Sequence, residues 1–147
     1  MKVLANDGLE ISAINEIKKN GIYIETNHLD KEELIENIKN YDVLVVRSNT
    51  KVTSDVLEAG AKGNLKLVIR AGVGIDNIDL DYAKKVGIKV SNTPDASSDS
   101  VAELALGHMF SVARYIAVAN YTMRNGQWNK KQYKGSEIAG KTLGIIG

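Results

Sequence analysis

The chain has 147 residues, 44% of them apolar, which is enough for one core of ordinary domain size with some length to spare. Its 19 Lys and Arg against 18 Asp and Glu leave a net charge of +1, and the basic residues are scattered, which argues against nucleic acid as a partner. The absence of cysteine excludes disulfides, a thiolate nucleophile and a cysteine zinc site; no run approaches the ~18 apolar residues of a membrane helix or forms a signal-peptide core, so a cytoplasmic protein is expected.

Val3 to Ala5 reads as a first strand, and Ile11, Ile14 and Ile17 follow at helical spacing until Asn20-Gly21 stops the helix. Ile22 to Ile24 is a second strand. Asp30 is placed to cap a helix over 31–39, with Glu33 three residues on as its capping-box partner. Val43 to Val46 is continuously apolar, as suits a strand covered on both faces of a parallel sheet. A helix over 54–61 follows Thr53, then a strand over 65–69, a helix over 79–86 and a strand over 88–90. The alternation predicts an α/β fold, a flavodoxin-like doubly wound parallel sheet, over residues 1–92. Ligands bind such sheets beyond the carboxyl ends of the strands, where Asp7, Arg47 to Asn49, Gly72 to Gly74 and Asn92 to Asp95 are expected to converge.

After Pro94, the only proline, Asp95 to Ser100 supply cap and first-turn chemistry. Val101, Leu104, Ala105, His108, Met109, Val112, Ile116 and Ala119 then mark one long helix, which makes 93–125 an interdomain segment ending at Asn125-Gly126. Its many small residues suit close packing on another helix, and Ser100 and Glu103 read as structural. Trp128, on a polar arm over 127–135, is either a local lid or an anchor in a partner subunit. Thr142 to Gly147 reads as a strand stopping at a glycine, so 126–147 is taken as the arm and start of a Rossmann domain.

The loop Arg70-Ala71-Gly72-Val73-Gly74-Ile75-Asp76-Asn77 is the centre of this pattern. Two glycines one residue apart let a backbone approach a ligand closely, and a helix behind them aims N–H groups at an anion; a plain tight connection is the other reading. Arg47, followed by Ser48, Asn49, Thr50 and Lys51, either grips a phosphate or carboxylate at the common edge or pairs with a surface acid. Asn77 is expected to tie the loop together, and Arg70 is either functional or structural. Asp7 resembles the first acid of a receiver-domain pocket, but Arg47-Ser48-Asn49 stands where that pocket needs its acceptor aspartate, which excludes the reading. His28 in a loop and His108 on an apolar helix face are expected to be neither general bases nor metal ligands, and no metal site is expected.

Val45-Val46-Arg47-Ser48-Asn49-Thr50-Lys51-Val52-Thr53, Arg70 to Leu80, Asn92-Thr93-Pro94, Ser100 to Leu104, Gly126-Gln127-Trp128 and Gly140 to Gly147 occur in this order. Together they resemble, over essentially the whole chain, the N-terminal portion of the D-2-hydroxyacid dehydrogenases, and most closely the branch that oxidises 3-phosphoglycerate. The resemblance implies NAD as cofactor of the parent enzyme, a phosphorylated hydroxy acid as substrate and a role in serine biosynthesis. It implies substrate binding by Arg47, Ser48, Lys51, Val73, Gly74, Asn77 and Ser97, and cofactor contact by Val73 and by Gly147, the first fingerprint glycine. Ser97 departs from the Asn that the family often carries. The family's catalytic Arg, Glu and His lie beyond residue 147, so the chain alone is expected to hold NAD weakly and not to catalyse. The helix that closes the family's substrate domain is missing too, which leaves apolar surface bare. A homodimer through 98–124 and the Trp128 arm is implied; a non-catalytic dimerisation or anion-binding module is the alternative.

Overall fold

The structure, a computed structural model, describes residues 1–146 and divides into two compact units, Met1–Ser97 and a second beginning at Ser98. The first unit alternates β1 (Lys2–Ala5), α1 (Ile11–Lys19), β2 (Tyr23–Glu25), α2 (Lys31–Asn37), β3 (Val43–Val46), α3 (Ser54–Ala61), β4 (Leu67–Arg70), α4 (Leu80–Lys85) and β5 (Lys89–Asn92). All strand pairs are parallel, in the order β2-β1-β3-β4-β5, which is the expected doubly wound α/β sheet. β3 lies in the middle with all four residues buried, which is why its sequence shows no alternation.

The pleat sends neighbouring residues into two cores. Leu4, Leu44, Val46 and Val68 meet Leu34, Val56, Leu57 and Ala83 from α2, α3 and α4, and Ile38 just after α2. On the opposite face Val3, Ala5, Val43 and Val45 pack with Ile14 and Ile17 of α1, while Leu67, Ile69 and Ala71 are only half covered. Asp30 and Glu33 form the predicted capping box, and the last turn of that helical stretch tightens to a 3-10 turn over Ile38–Asn40. β4 and β5 run further toward their carboxyl ends than apolarity suggests, because the ladder pairs Ile69 with Ser91 and Arg70 with Asn92. Hydrogen bonding thus carries polar residues into the sheet edge.

The second unit corrects the single long helix. It is two helices, α5 (Ser98–Arg114) and α6 (Ile116–Arg124), bent by 62° at Tyr115, which has a left-handed φ of 55°. The bend has a partner: Ser136 donates its N–H to the Ala113 carbonyl at 2.9 Å, and the Tyr115 ring stacks on Tyr133 with centroids 5.6 Å apart. Gly135 passes so close that a Cβ there would run into the Ala113 carbonyl. Thr142 to Ile146 form no strand, a second correction: a strand needs a ladder partner, and no described strand pairs with them. Gly147 lies outside the described residues. Among the described residues no single helix is long and apolar enough to cross a membrane.

Gly135→Ala is expected to lower the stability of the second unit by about 2 kcal/mol through overpacking, whereas Gly107→Ala, with nothing within 4 Å of the new methyl, is not. Urea unfolding of the two variants, followed by Trp128 fluorescence, checks the difference.

Candidate functional site

The carboxyl ends of β1, β3, β4 and β5 carry Asn6-Asp7, Arg47 to Thr50, Ala71 to Asn77 and Thr93-Pro94, and hydrogen bonds join these loops one to the next. Asn6 is almost fully buried; its amide donates to the Leu29 carbonyl at 3.0 Å and to Thr50 Oγ1 at 2.9 Å, and its Oδ1 accepts the Leu29 N–H at 2.8 Å. Asp7 turns its carboxylate onto the next loop, accepting the N–H of Arg47 at 2.6 Å, the N–H of Thr50 at 3.0 Å and the Thr50 hydroxyl at 2.5 Å. Burial pushes the Asp7 carboxyl up, but the Thr50 hydroxyl and N–H, the Arg47 N–H and the nearby His28 together outweigh it and hold it below its ordinary 3.8.

Asn77 makes the next link. Its amide donates to the carbonyls of Arg47 at 2.8 Å and Thr50 at 2.7 Å, so the glycine loop and the Arg47 loop are tied by one side chain. Asn92 donates to the Val73 carbonyl at 2.6 Å, and the Thr93 N–H reaches the Gly72 carbonyl at 3.0 Å, which fixes the glycine loop from its other side. The N–H groups of Val73 and Gly74 are engaged by no other described residue and sit on exposed backbone. Neither Gly72 nor Gly74 has a positive φ; a Cβ at Gly72 would meet the far end of the Arg70 side chain, which would have to move aside. Arg70 Nε in turn faces the Arg47 carbonyl at 3.4 Å.

The helix expected behind the glycines is present as α4, but it has six residues and its first turn is taken by Asp79, whose side chain accepts the Tyr82 N–H at 2.9 Å. The anion donors at this edge are therefore loop N–H groups and cationic side chains, not a helix terminus. Among the described residues no carboxylate lies within 4 Å of the charged nitrogens of Arg47, Lys51 or Arg70. Such an edge can hold a small dianion at two points, one end on free N–H groups and the other on guanidinium.

Residues 3–141 match the D-isomer specific 2-hydroxyacid dehydrogenase catalytic domain. The chain belongs to that family. It is 52% identical over 147 residues to the hydroxypyruvate reductase of Thermotoga maritima, covering 99% of this chain and 47% of that protein. It is 51% identical to the D-3-phosphoglycerate dehydrogenase of Methanocaldococcus jannaschii, covering 100% of this chain and 28% of that one. The solved NAD+-bound 3-phosphoglycerate dehydrogenase of Entamoeba histolytica superposes with a TM-score of 0.65 at 33% identity, over 78% of this chain and 39% of that chain. The chain thus spans less than half the length of these family members.

Within the family's first portion, Arg47, Ser48, Lys51, Val73, Gly74 and Asn77 all fall on the same sheet edge. Ser48, Lys51, Asp76 and Asn77 line one open depression there, with Thr53 Oγ1 and Asn77 Oδ1 buried at it without hydrogen-bond partners. Ser97 is exposed in the Pro94–Ser97 turn and makes no hydrogen bond to the cluster. His108 is exposed, not packed, and no group of three His, Asp or Glu suited to a metal occurs among the described residues. Sequence reasoning missed Asn6 and Thr50 as the hidden supports of the edge. It also missed His28, whose Nδ1 lies 2.8 Å from the Asn6 carbonyl and 3.8 Å from Asp7 Oδ1. These contacts span 22 to 44 residues, so no local spacing signals them.

Asp7→Ala is expected to cost about 3 kcal/mol at neutral pH, because hydrogen bonds to a charged acceptor are lost and buried donors are left unpaired. The folded carboxyl titrates below its unfolded value, so the charge-dependent part of this contribution is complete above pH 3.8 and is lost as pH falls through the lower, folded value. Urea unfolding of wild type and Asp7→Ala at a series of pH values checks that the gap between them narrows in that acid window.

Proposed function

We propose that this chain is the substrate-binding portion of an NAD-dependent D-2-hydroxyacid dehydrogenase whose parent reaction is oxidation of 3-phosphoglycerate, in the cytoplasm, on the route to serine. One observation carries the reading: Arg47, whose guanidinium pairs with no acid among the described residues, leaves β3 in a loop that Asn77 ties to the glycine loop, where the N–H groups of Val73 and Gly74 are engaged by no described residue. In this reading Val73 and Gly74 hold the substrate carboxylate. Arg47 takes the phosphate with help from Ser48 and Lys51, a charge-assisted contact contributing about 1.5–3 kcal/mol. Asn77 positions both loops, and Ser97 supplies a hydroxyl to the same substrate.

NAD, when bound to the parent enzyme, accepts the hydride, and the exposed Val73 side chain is the group on this chain assigned to its nicotinamide end. In this reading the chain's own share is to bind and orient the hydroxy acid. A second reading has a specific observation behind it: the Thermotoga maritima relative at 52% identity is a hydroxypyruvate reductase. On that reading the substrate lacks a phosphate and Arg47 serves the edge only through its backbone.

The second unit is assigned to dimerisation. None of its helix residues is buried, and Val101, Leu104, Phe110, Val118, Tyr121 and Trp128 are all large, apolar and exposed. A second copy covering this surface accounts for both facts. A single-function dimerisation or anion-binding module is the competing class, and ligand binding separates it from a substrate domain.

Titration of the isotope-labelled chain with 3-phosphoglycerate, followed by NMR, is expected to shift the amides of Arg47, Ser48, Lys51, Val73, Gly74 and Asn77; an unshifted spectrum overturns the assignment. With NAD and 3-phosphoglycerate the chain is expected to show no turnover, and measurable turnover would contradict the division of labour. Sedimentation is expected to show a dimer that Leu104→Asp converts to monomer; a monomeric wild type defeats the assembly reading.

A further inference from the structure

We propose that His28, in the β2–α2 loop, is a positioning residue for the Arg47 loop and thereby for its hold on an anion. This rests on the reading that the Arg47 loop binds 3-phosphoglycerate. The His28 Nδ1 lies 2.8 Å from the Asn6 carbonyl, and a carbonyl only accepts, so Nδ1 carries the proton of this bond. The same nitrogen stands 3.8 Å from Asp7 Oδ1. That one carboxylate receives the N–H groups of Arg47 and Thr50. The imidazole therefore braces the Asn6-Asp7 peptide from outside, and the anion loop hangs from its inner side.

The other charged groups nearby are occupied or lie farther away. Asp30 accepts the N–H groups of Glu32 and Glu33, Glu33 closes the capping box on the Asp30 N–H, and Lys31 Nζ pairs with Asp55 at 3.1 Å. Among the described residues the charged nitrogens of Arg47 and Lys51 have no carboxylate within 4 Å, and Asp7 is the acid that faces the ring.

The test measures 3-phosphoglycerate affinity of the 147-residue chain by NMR. His28→Phe keeps a ring but no donor; His28→Asn keeps an amide donor for the Asn6 carbonyl. His28→Phe is expected to bind about five-fold more weakly and to show faster solvent exchange of the Arg47 and Thr50 amides. His28→Asn is expected to keep that protection and to bind within about two-fold of wild type. Unchanged affinity and unchanged amide exchange in His28→Phe, or a loss in His28→Asn as large as in His28→Phe, overturns the proposal. Arg47→Ala is the separate control. If it binds like wild type, the substrate reading fails, and amide exchange in His28→Phe still decides the positioning role.

Discussion

The carboxylate of Asp7 is the constraint on which the functional edge depends. A strand end in a parallel sheet leaves its loop with backbone donors that the ladder no longer uses. Here Asp7 collects two of them, from Arg47 and Thr50, and Asn6 beside it holds Thr50 and the Leu29 peptide. Asn77 then closes the circuit from the neighbouring loop through the Arg47 and Thr50 carbonyls. With its backbone fastened on both sides, the Arg47 loop has little freedom to lose when an anion arrives. Preorganisation of that kind cuts the ordering cost of binding.

The fold was legible because buried parallel strands and capped helices write themselves into short local patterns. Val43 to Val46 reads as a central strand from its unbroken apolarity, and Asp30 with Glu33 reads as a helix start from a three-residue spacing. The failures have the opposite character. The bend at Tyr115 carries no proline or glycine; it depends on Ser136 and Tyr133, some twenty residues on, capturing a carbonyl and a ring. A strand over 142–146 has the right composition, but composition cannot supply a neighbouring strand. The start of α4 moved because Asp79, one position inside the expected helix, is its cap.

The candidate site divides along the same line. Arg47, Lys51 and the glycine loop are visible in the sequence because their residue types are chemically telling and follow apolar strands. Asn6, Thr50 and His28 are not, since an asparagine or threonine becomes a support only through a partner distant in the chain. The roles of the glycines also changed on inspection of the backbone. Gly72 lies against the far end of the Arg70 side chain, and the free donors come from Val73 and Gly74 without any help from a helix dipole. The two units differ as well: the first has buried cores on both sheet faces, and the second has helices with no buried residue, the pattern of a surface made to be covered.

The central claim is that Arg47 recognises the phosphate of the substrate while Val73 and Gly74 recognise the carboxylate. A thermodynamic cycle tests it most directly: calorimetric affinities of wild type and Arg47→Ala for 3-phosphoglycerate and for glycerate, which shares the carboxylate and hydroxyl and lacks the phosphate. Arg47→Ala is expected to weaken 3-phosphoglycerate by about ten-fold or more and to leave glycerate within about two-fold, the signature of a contact worth roughly 1.5–3 kcal/mol to the phosphate alone. Equal losses for both ligands would contradict the account.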